Sequence, residues 1–90
     1  MTRIIVFKEK HGDRHFGYNT RQDLLLTAEF IVRERHNEGW YEDVLKPHLL
    51  LEALKGGEAA IQFLNYRNDR GYEYEQFEIV EPATVEGVTL

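Results

Sequence analysis

The chain contains no cysteine and no serine. Without cysteine there is no disulfide, no thiolate nucleophile and no cysteine-built zinc site. Without serine the commonest hydroxyl nucleophile is missing too, which leaves threonine and lysine for any covalent chemistry. Proline is scarce, so the breaks it imposes on helices fall at Pro47 and Pro82 alone. No apolar run approaches the length of a membrane span. Met1-Thr2-Arg3 leads directly into a strand-like run, with no signal-peptide pattern. The expectation from these absences is a cytoplasmic protein with no cofactor, no metal and no membrane association.

What is present is ordinary globular material. Ninety residues, 42% hydrophobic and 30% charged, suit one domain with one modest core. The net charge is −5, and it is unevenly distributed. Residues 1–22 hold five cations against two acids, whereas every charge after Arg70 is a glutamate. Such bipolarity fits two solvated surfaces, or an acidic end that meets a basic partner.

The chain is organised around the apolar stretch from Asp23 to Val32. Thr20 and Asp23 stand in capping-box register, and Gly39 supplies a helix stop, so one helix is expected from about Thr20 to Glu38. Leu24, Leu25, Ala28, Ile31 and Val32 form a continuous face that Leu26 and Phe30 widen. A helix this apolar is expected to be covered on more than one side. Before it, Ile4-Ile5-Val6-Phe7 shows no alternation and reads as a central strand covered on both faces. A turn at His11-Gly12-Asp13 and a returning strand at Arg14–Tyr18 complete a hairpin.

After Gly39, an irregular piece leads to Pro47, a first-turn proline for a second helix that Gly56-Gly57 ends. A third helix starts at Glu58 and stops in the polar run Asn68–Gly71. Tyr72–Val80 reads as a strand whose alternation changes phase, predicting a bulge or break near Gln76. Residues 82–90 form either a frayed tail or a short edge strand. The assembled expectation for residues 1–90 is a single α+β domain of order β-β-α-α-α-β. Its three-stranded sheet, the hairpin plus the C-terminal strand, packs on three helices with the first strand central. A three-helix bundle with a decorated hairpin is the alternative.

Few residues point to chemistry. His11, Asp13 and His15 form an H-x-D-x-H run, but Gly12 places a turn between them and scatters the side chains. Gly56-Gly57-Glu58 could offer free N–H groups to an anion, yet Glu58 repels it and the phosphate-loop lysine is missing. Carboxylates are plentiful in polar sequence, where nothing raises their pKa for acid–base work. The aromatic residues are more informative. Trp40, Tyr41, Tyr72 and Tyr74 lie beside acids near turns, and with Glu73 and Glu75 they are candidate protein-binding residues. Sealing the edge of a small core is the competing role, and it is the favoured one for Trp40 and for two of the tyrosines. Lys8, Lys10, Arg14 and Arg21, with Phe16 and Tyr18, are the alternative, a basic hairpin for nucleic acid. The overall acidity opposes that alternative.

Glu58–Arg67, an alanine-rich helix, runs through a charged turn into Tyr72-Glu73-Tyr74-Glu75. This stretch resembles the ends of short bacteriophage and prophage accessory proteins. The resemblance covers about a quarter of the chain and brings no catalytic residues. It implies a small non-enzymatic protein that binds a host or viral protein. Monomer and homodimer both remain open. A homodimer would use apolar surface left by the long helix or Trp40, because two copies of the acidic strand repel each other.

Overall fold

The computed structural model describes residues 2–81. The element order is β1 (Arg3–Phe7), β2 (Arg14–Tyr18), α1 (Arg21–Asn37), α2 (Pro47–Leu54), α3 (Glu58–Asp69), a 3-10 turn (Glu73–Glu75) and β3 (Phe77–Val80). The fold is α+β, with an antiparallel sheet of order β2-β1-β3. The proposed alternatives for residues 82–90 lie outside the described residues. Among the described residues, no helix is long and apolar enough to cross a membrane.

β1 is central because it can be buried on both faces. Ile5 and Phe7 point into the core that the helices share, and Ile4 and Val6 on the opposite face are buried as well. Phe7 stands opposite Phe77 on β3, and Ile5 stands opposite Phe16 on β2. The Phe7 ring contacts Phe16 edge-on at 5.9 Å and Phe77 at 5.4 Å, so aromatic pairs hold the register on both sides.

α1 begins where its capping box predicts. Thr20 Oγ1 accepts from the Asp23 N–H at 3.2 Å, and the Asp23 carboxylate accepts from the Thr20 N–H at 3.3 Å. Leu24, Ala28, Ile31 and Val32 are buried against α2, α3 and β2. Full burial of side chains such as Ile31 and Val32 contributes about 1.5–3 kcal/mol each. α1 is thus covered both by helices and by β2, but the cover stops short of one part of its apolar face. Leu26 and Phe30 are about half exposed, at 53% and 51%. Phe16 on β2 approaches the Phe30 ring, with centroids 6.3 Å apart.

The last element also needs correction. Tyr72–Gln76 is not strand: Glu73–Glu75 form a 3-10 turn, and the sheet begins at Phe77. The Gln76 side-chain amide donates to the carbonyls of Tyr72 and Asn68 at 3.0 and 3.2 Å, which curls the chain back on α3. Asn68 Oδ1 accepts from the Phe77 N–H at 2.8 Å and fixes the start of β3. The change of phase in the sequence is therefore a helical turn ending at Gln76, and no separate aromatic and acidic strand faces exist at residues 72–75.

A candidate binding cleft at the hairpin end of the sheet

Three segments distant in sequence meet beside the β1–β2 turn. Gly39 adopts φ +83° and closes α1 with two reversed hydrogen bonds. Its N–H donates to the His36 carbonyl at 3.1 Å, and the Trp40 N–H donates to the Arg35 carbonyl at 3.0 Å. This Schellman geometry throws the Trp40 indole back over the last turn of the helix. The backbone N–H of Lys8 donates to the Gln76 carbonyl at 2.7 Å, which brings the Tyr72–Glu75 turn to the same place.

Between these segments lies a cleft of about 500 Å³. Trp40, Tyr72 and Tyr74 supply aromatic walls, and Glu38, Glu73 and Glu75 supply carboxylates. Lys10 and His11 close it from the hairpin turn.

Two buried arginines back these walls without lining the cleft. Arg67 is 2% exposed. Its Nε donates to Glu75 Oε1 at 2.8 Å, and a second guanidinium nitrogen donates to Glu75 Oε2. Asp43 stands 3.7 Å from the same guanidinium, and the Tyr72 and Tyr41 rings lie 4.1 and 5.1 Å away. Burial alone would lower the pKa of Arg67. The hydrogen bonds and charge of Glu75 outweigh burial, with help from Asp43, and raise it.

Arg35 is the other arginine and is 1% exposed. Its guanidinium sits between the Trp40 ring at 4.6 Å and the Phe7 ring at 5.3 Å. Among the described residues its three nitrogens and the Tyr41 hydroxyl form no hydrogen bond of good geometry, although the guanidinium stands close enough to the hydroxyl to favour its ionised form. Cation–π attraction to the two rings and this contact with Tyr41 are its compensation. Burial pushes the Tyr41 hydroxyl up to about 12, against the opposing pull of the Arg35 charge.

The residues predicted from sequence are thus partly gathered and partly reassigned. Trp40 and Tyr72 are half-buried in the cleft wall, while Glu73 and Tyr74 are exposed at its mouth. Tyr41 is a correction: it is 4% exposed, its ring edge-on to Phe63 at 4.9 Å, so it belongs to the core beneath the cleft. Glu75 is a second correction, because its carboxylate is committed to Arg67 and only 7% of the residue is exposed. Lys10, expected in a basic nucleic-acid surface, belongs to the cleft instead.

The other cations of that expected surface have acidic neighbours. Lys8 pairs with Glu78 at 3.2 Å and Asp13 at 3.5 Å. Arg14 is held by Glu9 and Glu34, and Arg21, beyond the far end of β2, is held by Glu58. Hydrogen bonding to these carboxylates raises the pKa of Lys8, Arg14 and Arg21 alike. His11 is at the cleft and His15 is exposed on β2. Among the described residues, no three metal-ligating side chains come together.

Neither buried arginine stands out in the sequence as a site residue. The signal was there in the spacing: Arg35 continues Ala28, Ile31 and Val32 along the buried face of α1, and Arg67 continues Ala60, Phe63 and Leu64 along that of α3. No family model, no curated protein and no solved structure matches this chain.

Proposed function

We propose that this protein is a non-catalytic accessory module that binds another protein through the cleft formed by the hairpin turn, Trp40 and the Tyr72–Glu75 turn. One observation carries this reading. Three aromatic side chains from two distant segments converge on one concave surface, backed by buried arginines that fix two of the rings. Rigid aromatic anchors in a concavity are what protein interfaces use to concentrate binding energy. The acidic mouth favours a basic partner and speeds its encounter. The resemblance of residues 58–75 to bacteriophage accessory proteins agrees with a host or viral partner.

Nucleic-acid binding is the second reading, and the same geometry weakens it. Three of its four cations stand beside carboxylates, which reduces the potential offered to phosphate.

The test is retention of partners on immobilised protein from nuclease-treated lysate. The comparison variant carries Tyr74→Ala with Glu73→Lys, both exposed positions. The expected result is a partner held by the original protein and lost from the variant, at unchanged melting temperature. A partner that disappears with nuclease, and that depends on Lys8 and Arg14, supports the second reading instead.

A further inference from the structure

Lys10 reaches into the cleft from the hairpin turn, and its Nζ stands 5.9 Å from the centre of the Tyr74 ring. Its hairpin neighbours Lys8 and Arg14 have carboxylate partners, whereas among the described residues Lys10 has this ring contact alone. An exposed cation–π contact at this distance is worth about 0.5–1 kcal/mol, so the lysine is weakly held.

The charges around it are unbalanced without it. Glu75 is neutralised by Arg67, but Glu38 and Glu73 are exposed at the cleft. Glu38 accepts from the Trp40 indole N–H at 3.1 Å, which draws its carboxylate to the aromatic wall. Arg35 lies against Trp40 and disfavours a second cation on that ring. The Tyr74 end of the cleft has no arginine against its ring, and Tyr74 is 44% exposed.

We infer that the cleft takes the ammonium of a lysine side chain on the partner protein, at Tyr74 between Glu38 and Glu73, and that Lys10 occupies this place in the free protein. The inference rests on the proposed function, and it adds the chemical class of the anchor and an internal competitor. The incoming lysine restores the charge balance that Lys10 gives up when it swings into solvent. Because the displaced contact is weak, exchange costs little.

Trp40 is the single tryptophan, so its fluorescence reports on this cleft alone. The probes are capped Gly-Gly-Lys-Gly-Gly and the same peptide with glutamine or arginine at the centre. The lysine peptide is expected to give a saturable change, and the glutamine peptide none. Lys10→Gln removes the competitor and is expected to tighten lysine-peptide binding about two- to fivefold. Tyr74→Leu is expected to weaken it by a similar factor.

The inference is overturned if Lys10→Gln leaves the affinity unchanged, or if the glutamine peptide binds equally. It is also overturned if arginine binds more tightly than lysine. Absence of saturation with both proteins up to about 10 mM peptide overturns it as well. These outcomes separate from the proposed function. A protein partner that still depends on Tyr74 and Glu73, beside an unselective peptide result, keeps the cleft and removes the lysine. A lysine-selective peptide result without such a partner keeps the lysine site and removes the module.

Discussion

The Arg67 guanidinium and the Glu75 carboxylate meet side by side, both almost wholly shielded from water, eight positions apart across the turn that follows α3. The pair ties the floor of the cleft to the last turn of the helix. Removing Glu75 leaves the buried Arg67 charge with the largely exposed Asp43, 3.7 Å away, as its acidic neighbour. Glu75→Ala is therefore expected to cost about 3–5 kcal/mol, most of the stability of a domain this size. Replacing both, Arg67→Met with Glu75→Leu, is expected to recover most of that loss. Urea denaturation of the three variants checks the pattern. Equal losses in the single and double variants would show that shape, and not charge, sets the cost.

Arg35 differs from Arg67 because, among the described residues, no carboxylate pairs with it. Arg35→Met keeps a long apolar side chain between Phe7 and Trp40 and removes an unpaired buried charge. The expected change is neutral or stabilising, by up to about 2 kcal/mol. Arg35→Ala opens a cavity instead and is expected to cost about 2–4 kcal/mol. Thermal melts of the two variants should move in opposite directions, or the first should not move.

Tyr41 predicts an alkaline limit. Its hydroxyl has an ordinary pKa near 10 in the unfolded chain and one pushed up to about 12 in the folded protein. The folded state therefore retains a proton that the unfolded state releases. Stability tied to this group is complete below pH 10 and falls between about pH 10 and 12, by about 2–3 kcal/mol in total. Tyr41→Phe is expected to abolish that part of the decline. Near neutral pH the same variant is expected to change stability by less than about 1 kcal/mol, because among the described residues the hydroxyl makes no hydrogen bond of good geometry and loses a weak contact with Arg35. Denaturation at stepped alkaline pH, with tyrosinate absorbance alongside, measures both.

Gly39 sets the position of Trp40. At φ +83° a side chain is strained, and a Cβ there would stand 3.4 Å from Glu42 Oε1. Gly39→Ala is expected to destabilise by about 1–2 kcal/mol. It is also expected to shift Trp40 emission, because the reversed hydrogen bonds that place the indole loosen. Loss of stability with an unchanged emission spectrum would separate the turn from the placement of the ring.

The sequence made the frame of the fold legible wherever local chemistry and tertiary demand agree. Thr20 and Asp23 announce the start of α1, Pro47 opens α2, and the unbroken Ile4–Phe7 run marks the central strand. The site was legible only in part. Trp40, Glu73, Tyr72 and Tyr74 were recognisable as aromatic and acidic residues near turns. The sequence did not tell a buried Glu75 from an exposed Glu73. That difference depends on which glutamate the 3-10 turn aims at Arg67. The arginines escaped notice because cations on an apolar face read as its edge, and here they are its centre.

The sheet order carries a kinetic consequence. Phe7 on the central strand pairs with Phe77, seventy positions later, and the whole helical layer intervenes. A contact so distant in sequence is slow to close, since the intervening chain must be ordered first. The Tyr72–Glu75 wall lies between α3 and β3, so it is completed by that closing step. The same strand is the natural place for the native protein to open locally, and opening there dissolves the binding surface before the helices unfold. A ligand held in the cleft therefore latches the sheet, and its affinity should be readable as slowed amide exchange along Phe77–Val80.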